Sequence, residues 1–436
     1  MYVDALLDAG VSRDWGIIGV GLLPGDTAMA EALRAQDFSY TLVERAGDGS
    51  TNAREIRSII DYIHAPSEPH RLKEALVSPD IRIVSLTITE GGYNTSDATG
   101  EFDTANPAIL ADAESENPTT IFGALAAGLH ARRACGIPPF TIASCDNILE
   151  NGEVTRRALV AFARLAYDAE FAEWINAEVS FPSCMVDRIT PVTGDNERAL
   201  VRTRYGIDDA WPVICEPFAQ WVIEDDFPGG RPPWETVGAQ VVTDVSPYEK
   251  LKLRLLNGSH QALAHEGLIR GHTFVHDAVA DPAVAHLIHD YMSEAAETLD
   301  ATPGIDTAEY RSQLVARFAN PHIGDTLARL ATNASDRIPK FLVPVALDRV
   351  RRNQPALACA AVVAGWAASR LPTALAGPSI PDRHLDAVTA AALGALDDPT
   401  VFLENSDWFG DLADDAEFVR AFCDSHRGFV RRLRLG

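Results

Sequence analysis

A lysine, an asparagine and a histidine lie close together in a segment predicted to be helical. Lys252, Asn257 and His260 fall within residues 247–265, where leucines recur at helical spacing and a proline occupies the first turn. At about 100° per residue, Asn257 lies about 140° around an α-helix from Lys252, and His260 about 80°. The three therefore share a broad face, with His260 between the other two. An amine, an amide and an imidazole on one face can supply a base, a donor to a developing oxyanion and a group that orients a substrate.

The same residues are also compatible with a simple amphipathic helix, whose solvent-facing side often carries such polar groups. Lysine usage favours the chemical interpretation. The sequence has 37 basic residues, of which only Lys73, Lys250, Lys252 and Lys340 are lysines. Arginine does not lose its proton in proteins, whereas a buried lysine can titrate near neutrality and act as a base. A lysine among so many arginines therefore indicates a function that requires an amine, although codon bias would produce the same composition.

Residues 252–260 have the pattern Lys-x4-Asn-x2-His, which resembles the signature of the polyol-specific long-chain dehydrogenases. Further motifs of that family precede this pattern in the family's order, and the resemblance extends from Trp15 to about Val350. These motifs occupy residues 15–23, 87–93, 144–147, 185–189, 216–218 and 221–225. The resemblance implies an NAD-dependent oxidation of a secondary alcohol on a polyol to a ketose, without a metal ion.

The resemblance also implies a role for each catalytic residue. Lys252 is the base that takes the hydroxyl proton, and His260 orients the neighbouring hydroxyl. Asn257 and Asn147 hold the developing alkoxide. Asn147 follows a predicted buried strand in the segment Ser-Cys-Asp-Asn. Taken without the resemblance, Asp-Asn at this position is typical of a turn.

Four further residues receive roles in proton relay and substrate binding from the same resemblance: Glu90, Asp187, Arg329 and Arg337. Glu90 comes directly after a predicted buried strand, beside two glycines, and ligands usually bind at the carboxyl ends of parallel strands. Glu90 and Asp187 would relay protons between Lys252 and solvent, and the two arginines would contact substrate hydroxyls. Taken alone, Glu90 is typical of a turn, Asp187 and Arg188 are typical of a surface ion pair, and Arg329 and Arg337 are typical of a solvated helix face.

The glycine-rich residues 16–25 are similar to a dinucleotide-binding fingerprint, but their spacing argues against that function. The fingerprint requires its glycines in the turn after the first strand, whereas Gly19 and Gly21 fall inside an apolar run. The resemblance identifies this run as the second strand of a nucleotide-binding fold, with Gly21 at the cofactor. It also implies a preceding strand and glycine loop that this sequence does not contain. We therefore expect either a start codon placed too late or a truncated product.

Asp26 follows this predicted strand. A carboxylate at this position of a nucleotide-binding fold accepts hydrogen bonds from the adenosine ribose and repels a 2′-phosphate. Asp26 is equally suited to be the N-cap of a helix predicted over residues 27–36. The position of Asp26 and the family resemblance both favour NAD over NADP as the cofactor.

Composition narrows the classes of partner. The 436 residues carry a net charge of −25, which argues against nucleic acid and anionic membranes. The six cysteines include no CxxC pair, which indicates neither a zinc–thiolate site nor a disulfide framework and fits a cytoplasmic protein. The histidines near residue 260 lack the HExxH spacing of a zinc site. The sequence contains no apolar run of about 18 residues and therefore predicts no membrane span. We expect a monomer or weak oligomer that binds a polyol or ketose.

The order of predicted elements indicates two domains. Strands over residues 15–23, 40–44, 82–89 and 140–145 alternate with helices over 27–36, 54–64, 118–135 and 152–167. This alternation is typical of a doubly wound α/β domain. After short strands at 219–224 and 238–243, nearly every segment is predicted to be helical, including 247–265 and 323–334. We therefore expect a Rossmann-like domain over residues 1–243 and an all-helical domain over residues 244–436.

Two other functions are compatible with the sequence. One is a sister specificity in the same family, for arabinitol or for a sugar acid such as mannonate. A sugar acid would require an additional arginine or lysine at the site to bind its carboxylate. The other is a protein that folds but binds nucleotide poorly and has no catalytic function.

Overall fold

The computed structural model describes residues 1–11, 13–95, 101–371 and 380–435, with their side chains except those of Glu90, Arg434 and Leu435. The chain divides into two compact units. The first unit comprises Met1–Arg45 and Thr51–Ser246, and the second comprises Ala46–Ser50 and Pro247–Gly436.

The described residues of the first unit form ten strands in four small sheets. Their bounds are β1 Ile17–Gly21, β2 Tyr40–Arg45, β3 Thr51–Ile56, β4 Ile59–His64, β5 Ile83–Leu86, β6 Thr141–Ser144, β7 Cys184–Asp187, β8 Val213–Cys215, β9 Gln220–Glu224 and β10 Gln240–Val242. Parallel pairs join β1 to β4, β5 to β6, β2 to β8 and β9 to β10. Antiparallel pairs join β2 to β3 and β7 to β9. Among the described residues, β1 and β5 each have one strand neighbour.

The described residues of the first unit also form eight α-helices. They are α1 Tyr2–Asp8, α2 Thr27–Ala35, α3 Pro69–Val77, α4 Pro107–Ala113, α5 Ile121–Ala134, α6 Asn151–Ala166, α7 Ala169–Glu178 and α8 Asp195–Tyr205. Phe122 of α5, Phe162 of α6 and Phe171 of α7 are buried in one core with Ile142 of β6. Parallel strands whose connecting helices share their core form the doubly wound arrangement that the sequence predicts, and this part of the predicted fold class is confirmed.

Residues 54–64 do not form the helix that the sequence predicts. They contribute to β3 and to β4, which are separated by Arg57 and Ser58. The prediction is wrong because isoleucines at positions 56, 59, 60 and 63 have helical spacing, yet their β-branched side chains also favour strands. Pairing with β2 and with β1, which lie earlier in the chain, selects the extended conformation.

The second unit is helical, as predicted. Its helices are α9 Ser246–Leu251, α10 Gly258–Ile269, α11 Val275–Ala280, α12 Pro282–Ala296, α13 Thr307–Phe318, α14 Leu327–Ala331, α15 Ala334–Phe341, α16 Val343–Arg351, α17 Leu357–Ser369, α18 Leu385–Gly394, α19 Ser406–Phe409 and α20 Ala416–Leu435. Ten of the twelve residues of α10 are buried, so this helix is enclosed on all sides rather than amphipathic. None of the helices in the described part of the chain is long and apolar enough to cross a membrane.

The helix predicted over residues 323–334 is shorter than expected. Within it Leu327–Ala331 is helical and α15 begins only at Ala334, because Asn333, with a φ of 53°, interrupts the α-helical path. Thr326 forms an isolated bridge with Phe274, and its side chain caps α14 by accepting a hydrogen bond from the N–H of Arg329 at 3.3 Å. The bridge holds the residues before α14 in an extended conformation.

Candidate active site

The helix predicted to carry the chemistry is interrupted by a π turn, Lys252–Asn257, between α9 and α10. The N–H of Gly258 donates to the carbonyl oxygens of Leu253 and Leu255. In a regular α-helix it would donate to the carbonyl of Arg254, four residues earlier. Turns with bonds between residues five apart are rare and occur frequently at functional sites.

The π turn narrows the face that carries the three polar groups. Bonds three and four residues apart give 3.0 and 3.6 residues per turn, so bonds five apart give roughly 4.3. The five steps along the chain from Lys252 to Asn257 then exceed one full turn by roughly 60°, in place of the roughly 140° separation predicted for an α-helix. His260 lies three α-helical residues beyond Asn257 and returns to nearly the azimuth of Lys252. In this idealised geometry His260 no longer lies between the other two residues.

Burial differs among these three residues. Lys252 is 5% exposed, although amines are seldom buried without a structural or chemical reason. Asn257 and His260 are half-buried and can be reached from outside the core. A buried amine beside two partly accessible polar groups is the arrangement that a base and two substrate-binding groups would require.

The imidazole of His260 is kept neutral. Its pKa is lowered well below 6.5, mainly because the surrounding protein encloses the ring. Repulsion by nearby positive charges lowers the pKa further, and these charges belong to Arg329, Arg317, Arg337 and Lys252. A neutral imidazole both donates and accepts a hydrogen bond, so it can bind a hydroxyl group in a defined orientation.

The two arginines predicted to contact substrate are also held by neighbours in the second unit. Arg329 makes a bidentate pair with Asp325, with Nε–Oδ1 at 2.6 Å and Nη2–Oδ2 at 2.5 Å, which raises the pKa of Arg329. Arg337 Nη1 donates to the carbonyl oxygens of Arg329 at 3.2 Å and Leu330 at 3.0 Å. The structure therefore brings both arginines near His260, with their guanidinium groups anchored to the protein.

In the first unit, Asn147 is exposed in the turn after β6, directly after Asp146. The Asp146 carboxylate accepts hydrogen bonds from the N–H groups of Ile88 at 3.0 Å and Thr89 at 2.9 Å, which follow β5. It also accepts one from Tyr93 Oη at 2.8 Å. These bonds tie the loop after β5 to the turn after β6. Asp146 therefore fixes the backbone on which Asn147 is carried.

Glu90 begins a short 3-10 turn, Glu90–Tyr93, but its side chain lies outside the described residues. The preceding residue, Thr89, has a φ of 60°, which a β-branched residue rarely adopts. Such a conformation persists where surrounding contacts hold it, and the bond from the Thr89 N–H to Asp146 is one such contact. The backbone around Glu90 is therefore shaped by the same carboxylate that supports Asn147.

Asn151 connects two further parts of the first unit. Its side chain is fully buried at the start of α6, and Nδ2 donates to the carbonyl oxygens of Asp146 at 3.0 Å and Cys184 at 2.7 Å. Its Oδ1 accepts a hydrogen bond from the Cys184 N–H at 3.0 Å. Asn151 thus links the turn that carries Asn147 to β7, which ends at the buried Asp187.

Arg188, which follows Asp187, is not part of a solvent-exposed ion pair. Its Nη2 lies 2.7 Å from Glu44 Oε1, and its side chain is 14% exposed. Nε and Nη2 also donate to the carbonyl oxygen of Glu216, at 3.0 and 2.8 Å. The surface-pair interpretation of these two residues is therefore wrong, because both are enclosed by the fold.

Gly21 and Asp26 meet at the end of β1. Both Gly19 and Gly21 lie inside the strand, as predicted, rather than in a turn. A Cβ on Gly21 would lie 2.6 Å from the Cβ of Asp26 and 2.7 Å from Tyr62 Oη, so a larger residue does not fit. Asp26 occupies the N-cap position of α2 but makes no side-chain cap bond, and its Oδ2 accepts the N–H of Leu23 at 2.9 Å instead. Its carboxylate is therefore not used to cap the helix.

Three residues that shape the site carry no clear signal in the sequence. Asp146 and Asn151 lie in a segment typical of a turn, and only their contacts show that they connect loops and strands. Tyr291 of α12 donates a hydrogen bond from Oη to the carbonyl oxygen of Arg254 in the π turn, at 2.8 Å. For Asp146, the sequence offers one indication of a role, which is that its carboxylate comes directly after a buried strand. Tyr291 is too distant in sequence to be found from a local pattern.

Within the described ranges, no three His, Cys, Asp or Glu side chains are grouped so that they could hold a metal ion. The candidate site groups of the second unit are Lys252, Asn257 and His260 on one helical segment, with Arg329 and Arg337 near His260. Those of the first unit surround Asp146 and Asn151, and Gly21 and Asp26 form a separate contact at β1. These groups are suited to acid–base chemistry and to binding hydroxyl-rich ligands.

Comparisons with known proteins agree with this chemistry. The family model "Mannitol dehydrogenase Rossmann domain" matches residues 2–236, and "Mannitol dehydrogenase C-terminal domain" matches residues 244–428. Mannitol dehydrogenase 2 of Saccharomyces cerevisiae is 42% identical over 425 residues, which cover 96% of this chain and 84% of that protein.

Two solved structures are also similar over nearly the whole chain. The ternary complex of Pseudomonas fluorescens mannitol 2-dehydrogenase with NAD and D-mannitol is 42% identical, with a TM-score of 0.89, and the match covers 100% of this chain and 90% of that one. A D-sorbitol dehydrogenase in substrate-free form is 33% identical, with a TM-score of 0.88, and the match covers 99% and 91%. On the evidence of its sequence, its fold and both family models, the chain belongs to the mannitol dehydrogenase family.

Proposed function

We propose that this protein oxidises a secondary alcohol of a polyol to a ketose with NAD, D-mannitol to D-fructose above all, and catalyses the reverse reduction. The observation that carries the proposal is the buried amine of Lys252 at the start of a π turn, with Asn257 and a neutral His260 on the same narrow face. The similarity to a mannitol 2-dehydrogenase that was solved with NAD and D-mannitol supports it.

Lys252 is the proposed base. Burial disfavours the charged form of an amine, so it favours the neutral form that can take a proton. The Nζ of Lys252 removes the proton of the reacting hydroxyl while the hydrogen on the same carbon leaves with two electrons. NAD, when bound, accepts that hydride. In the reverse direction, protonated Lys252 returns the proton to the alkoxide formed from the ketose.

Asn257 and Asn147 are the proposed donors to the alkoxide. Oxidation without a metal ion leaves the developing negative charge to amide donors, and one such donor contributes about 10²- to 10³-fold to the rate in other enzymes. The π turn sets the rotation of Asn257 relative to Lys252. The bonds of Asp146 and Asn151 set the backbone that carries Asn147.

His260, Arg329 and Arg337 are the proposed groups that bind the remaining hydroxyls. His260 orients the hydroxyl next to the reacting carbon, because a neutral ring offers one donor and one acceptor. The two arginines are anchored by Asp325 and by backbone carbonyls, so they present fixed guanidinium groups. Anchored groups lose less conformational entropy when a substrate binds.

Glu90 and Asp187 are the proposed relay between Lys252 and solvent. Both are carboxyl residues at or just after the carboxyl end of a strand, and Asp187 is buried. A base that accepts a proton in each cycle must release it, and carboxylates can transfer protons between a buried amine and water.

Asp26 and Gly21 are the proposed residues that bind the adenosine half of NAD. The residues fit this role because the backbone at Gly21 has no room for a Cβ beside Asp26, and the Asp26 carboxylate makes no cap bond to α2. A carboxylate at the end of this strand can accept the ribose hydroxyls and repels a 2′-phosphate.

A sugar acid such as mannonate is a second candidate substrate. The positive charges of Arg317, Arg329 and Arg337 all act on His260, and a carboxylate substrate would require such a cation. Arg329 is already paired with Asp325, which reduces its capacity to bind another carboxylate. For this reason we place the neutral polyol first.

A substrate panel tests the proposal. Mannitol, arabinitol, sorbitol and mannonate would be compared with NAD, with NADH formation measured by absorbance in the presence and absence of EDTA. We expect mannitol to give the highest kcat/KM and EDTA to leave the rate unchanged. A higher kcat/KM for mannonate would favour the second candidate. Absence of turnover with all four substrates in a protein with native circular dichroism would overturn the proposed function.

A further inference from the structure

The π turn leaves the carbonyl oxygen of Arg254 without its usual helical donor. The Gly258 N–H, which would donate to this oxygen in an α-helix, donates to Leu253 and Leu255 instead. Tyr291 Oη donates to the Arg254 oxygen at 2.8 Å. A side chain from α12 therefore supplies the hydrogen bond that the π turn removes from the main chain.

The phenol of Tyr291 fits beside the turn because residue 258 is glycine. A Cβ at this position would lie 1.8 Å from Tyr291 Oη and 2.6 Å from Cζ. Tyr291 is completely buried, and burial raises its pKa well above 10, so the hydroxyl keeps its proton and remains a donor. The glycine and the tyrosine thus form a matched pair around the Arg254 carbonyl.

The side chain of Arg254 is held as firmly as its carbonyl. Its Nη1 lies 2.7 Å from Asp348 Oδ2 of α16 and donates to the carbonyl oxygen of Thr298 at 3.3 Å. The Arg254 side chain is 11% exposed, so the ion pair is largely shielded from solvent. Contacts from α12, α16 and the segment after α12 therefore converge on one residue in the middle of the π turn.

We propose that Tyr291 is a positioning residue for the oxidation, whose hydroxyl holds the π turn and thereby fixes the rotation of Asn257 relative to Lys252. This inference rests on the proposed function, in which both side chains act on the same hydroxyl group. Regular α-helical geometry would turn Asn257 away by roughly a further 80°. A displacement of about 1 Å at a catalytic group can cost about 10²-fold in rate.

The variant Tyr291→Phe tests the inference because it keeps the ring and removes only the hydroxyl. Tyr248→Phe is the matched control: Tyr248 is also buried, and its Oη donates to a backbone carbonyl, that of Pro303, at 2.9 Å. Both variants lose one hydrogen bond of the same type, so we expect similar decreases in the urea concentration at which half of the protein is unfolded. We expect only Tyr291→Phe to lower kcat for the polyol, by about tenfold, with the Kd of NAD unchanged.

A spectroscopic measurement makes the inference independent of turnover. The chain has four lysines, so protein labelled with [ε-13C]lysine gives four Cε resonances, and Lys252→Arg assigns that of Lys252. We expect Tyr291→Phe to shift the Lys252 resonance and Tyr248→Phe to leave it in place. Wild-type kcat and an unshifted Lys252 resonance in Tyr291→Phe would overturn the inference, as would equal losses of kcat in both variants. If the wild type oxidised no polyol, the proposed function would fail while the resonance still tested the role of Tyr291.

Discussion

The proposed site residues of the two units are held in place by different means. Lys252 and His260 belong to a helical segment that the protein encloses on all sides. The side chain of Tyr291, from another helix, donates a hydrogen bond to its π turn. Asn147 and Asp26 belong to short connections after strands. Asn147 depends on the carboxylate of Asp146, and Asp26 packs against a glycine that has no room for a side chain.

This difference indicates how each kind of residue responds to substitution. A helix that is packed on all sides is held by many contacts, so we expect a shortened side chain there to cost stability but to leave the backbone in place. A residue in a connection between elements is positioned by a few side-chain to backbone bonds, so substitution of the supporting residue moves it as well. The following predictions test this comparison, from the largest expected effect to the smallest.

Lys252→Ala should lower kcat by about 10²- to 10⁴-fold, the range for loss of a general base. The Kd of NAD should change little, because the residues proposed to bind the adenosine half lie in the first unit. Lys250→Ala is the control, because it removes a nearby amine that has another partner. The Lys250 side chain is 35% exposed, and its Nζ lies 3.6 Å from Asp300 Oδ2. Steady-state kinetics and NAD titration measure both effects. A loss of less than a few-fold in Lys252→Ala would place the base elsewhere.

Asn257→Ala and Asn147→Ala should each lower kcat by about 10²-fold, since each removes one proposed donor to the alkoxide. The comparison of the two units also predicts an effect of substituting the residue that supports Asn147. Asp146→Ala should lower kcat nearly as much as Asn147→Ala, because it releases three hydrogen bonds that support the turn. If Asp146→Ala retained wild-type kcat, the turn would hold Asn147 without that carboxylate.

The rate of oxidation should rise with pH along one ionisation, by up to about tenfold per pH unit, because Lys252 must lose its proton before it can act as the base. His260 should add no ionisation near pH 6.5. Its pKa lies well below that value, so the ring is already neutral and stays neutral as the pH rises. Measurement of kcat/KM from pH 6 to 10 checks this, with His260→Gln expected to keep the shape of the profile. Survival of the rising limb in Lys252→Ala would contradict the assignment.

Asp26→Ala should narrow the preference for NAD over NADP by several-fold, because it removes the charge that repels a 2′-phosphate. Asp26→Asn separates charge from structure, since an amide oxygen can still accept the Leu23 N–H. We expect Asp26→Asn to lose the preference to a similar extent. A preference ratio that stays constant in both variants would mean that Asp26 only supports the turn after β1.

Much of the active-site helix and of the fold class could be predicted from the sequence. Lys252, Asn257 and His260 lie within nine residues, so one local pattern contains all three, and residue type alone indicates their chemistry. The alternation of apolar runs with helical segments likewise predicts the α/β part, because such patterns depend on neighbours in the chain. Gly19 and Gly21 were assigned to a strand on the same grounds, and the structure agrees.

Only the tertiary structure decided the features that depend on partners distant in sequence. The isoleucines at positions 56, 59, 60 and 63 satisfy helical and extended spacing alike, and pairing with β1 and β2 selects strands. A π turn leaves a carbonyl without its helical donor, and such a buried group must find another partner. That partner is Tyr291, 37 residues beyond Arg254, so this hydrogen bond forms only once α12 has packed beside the turn.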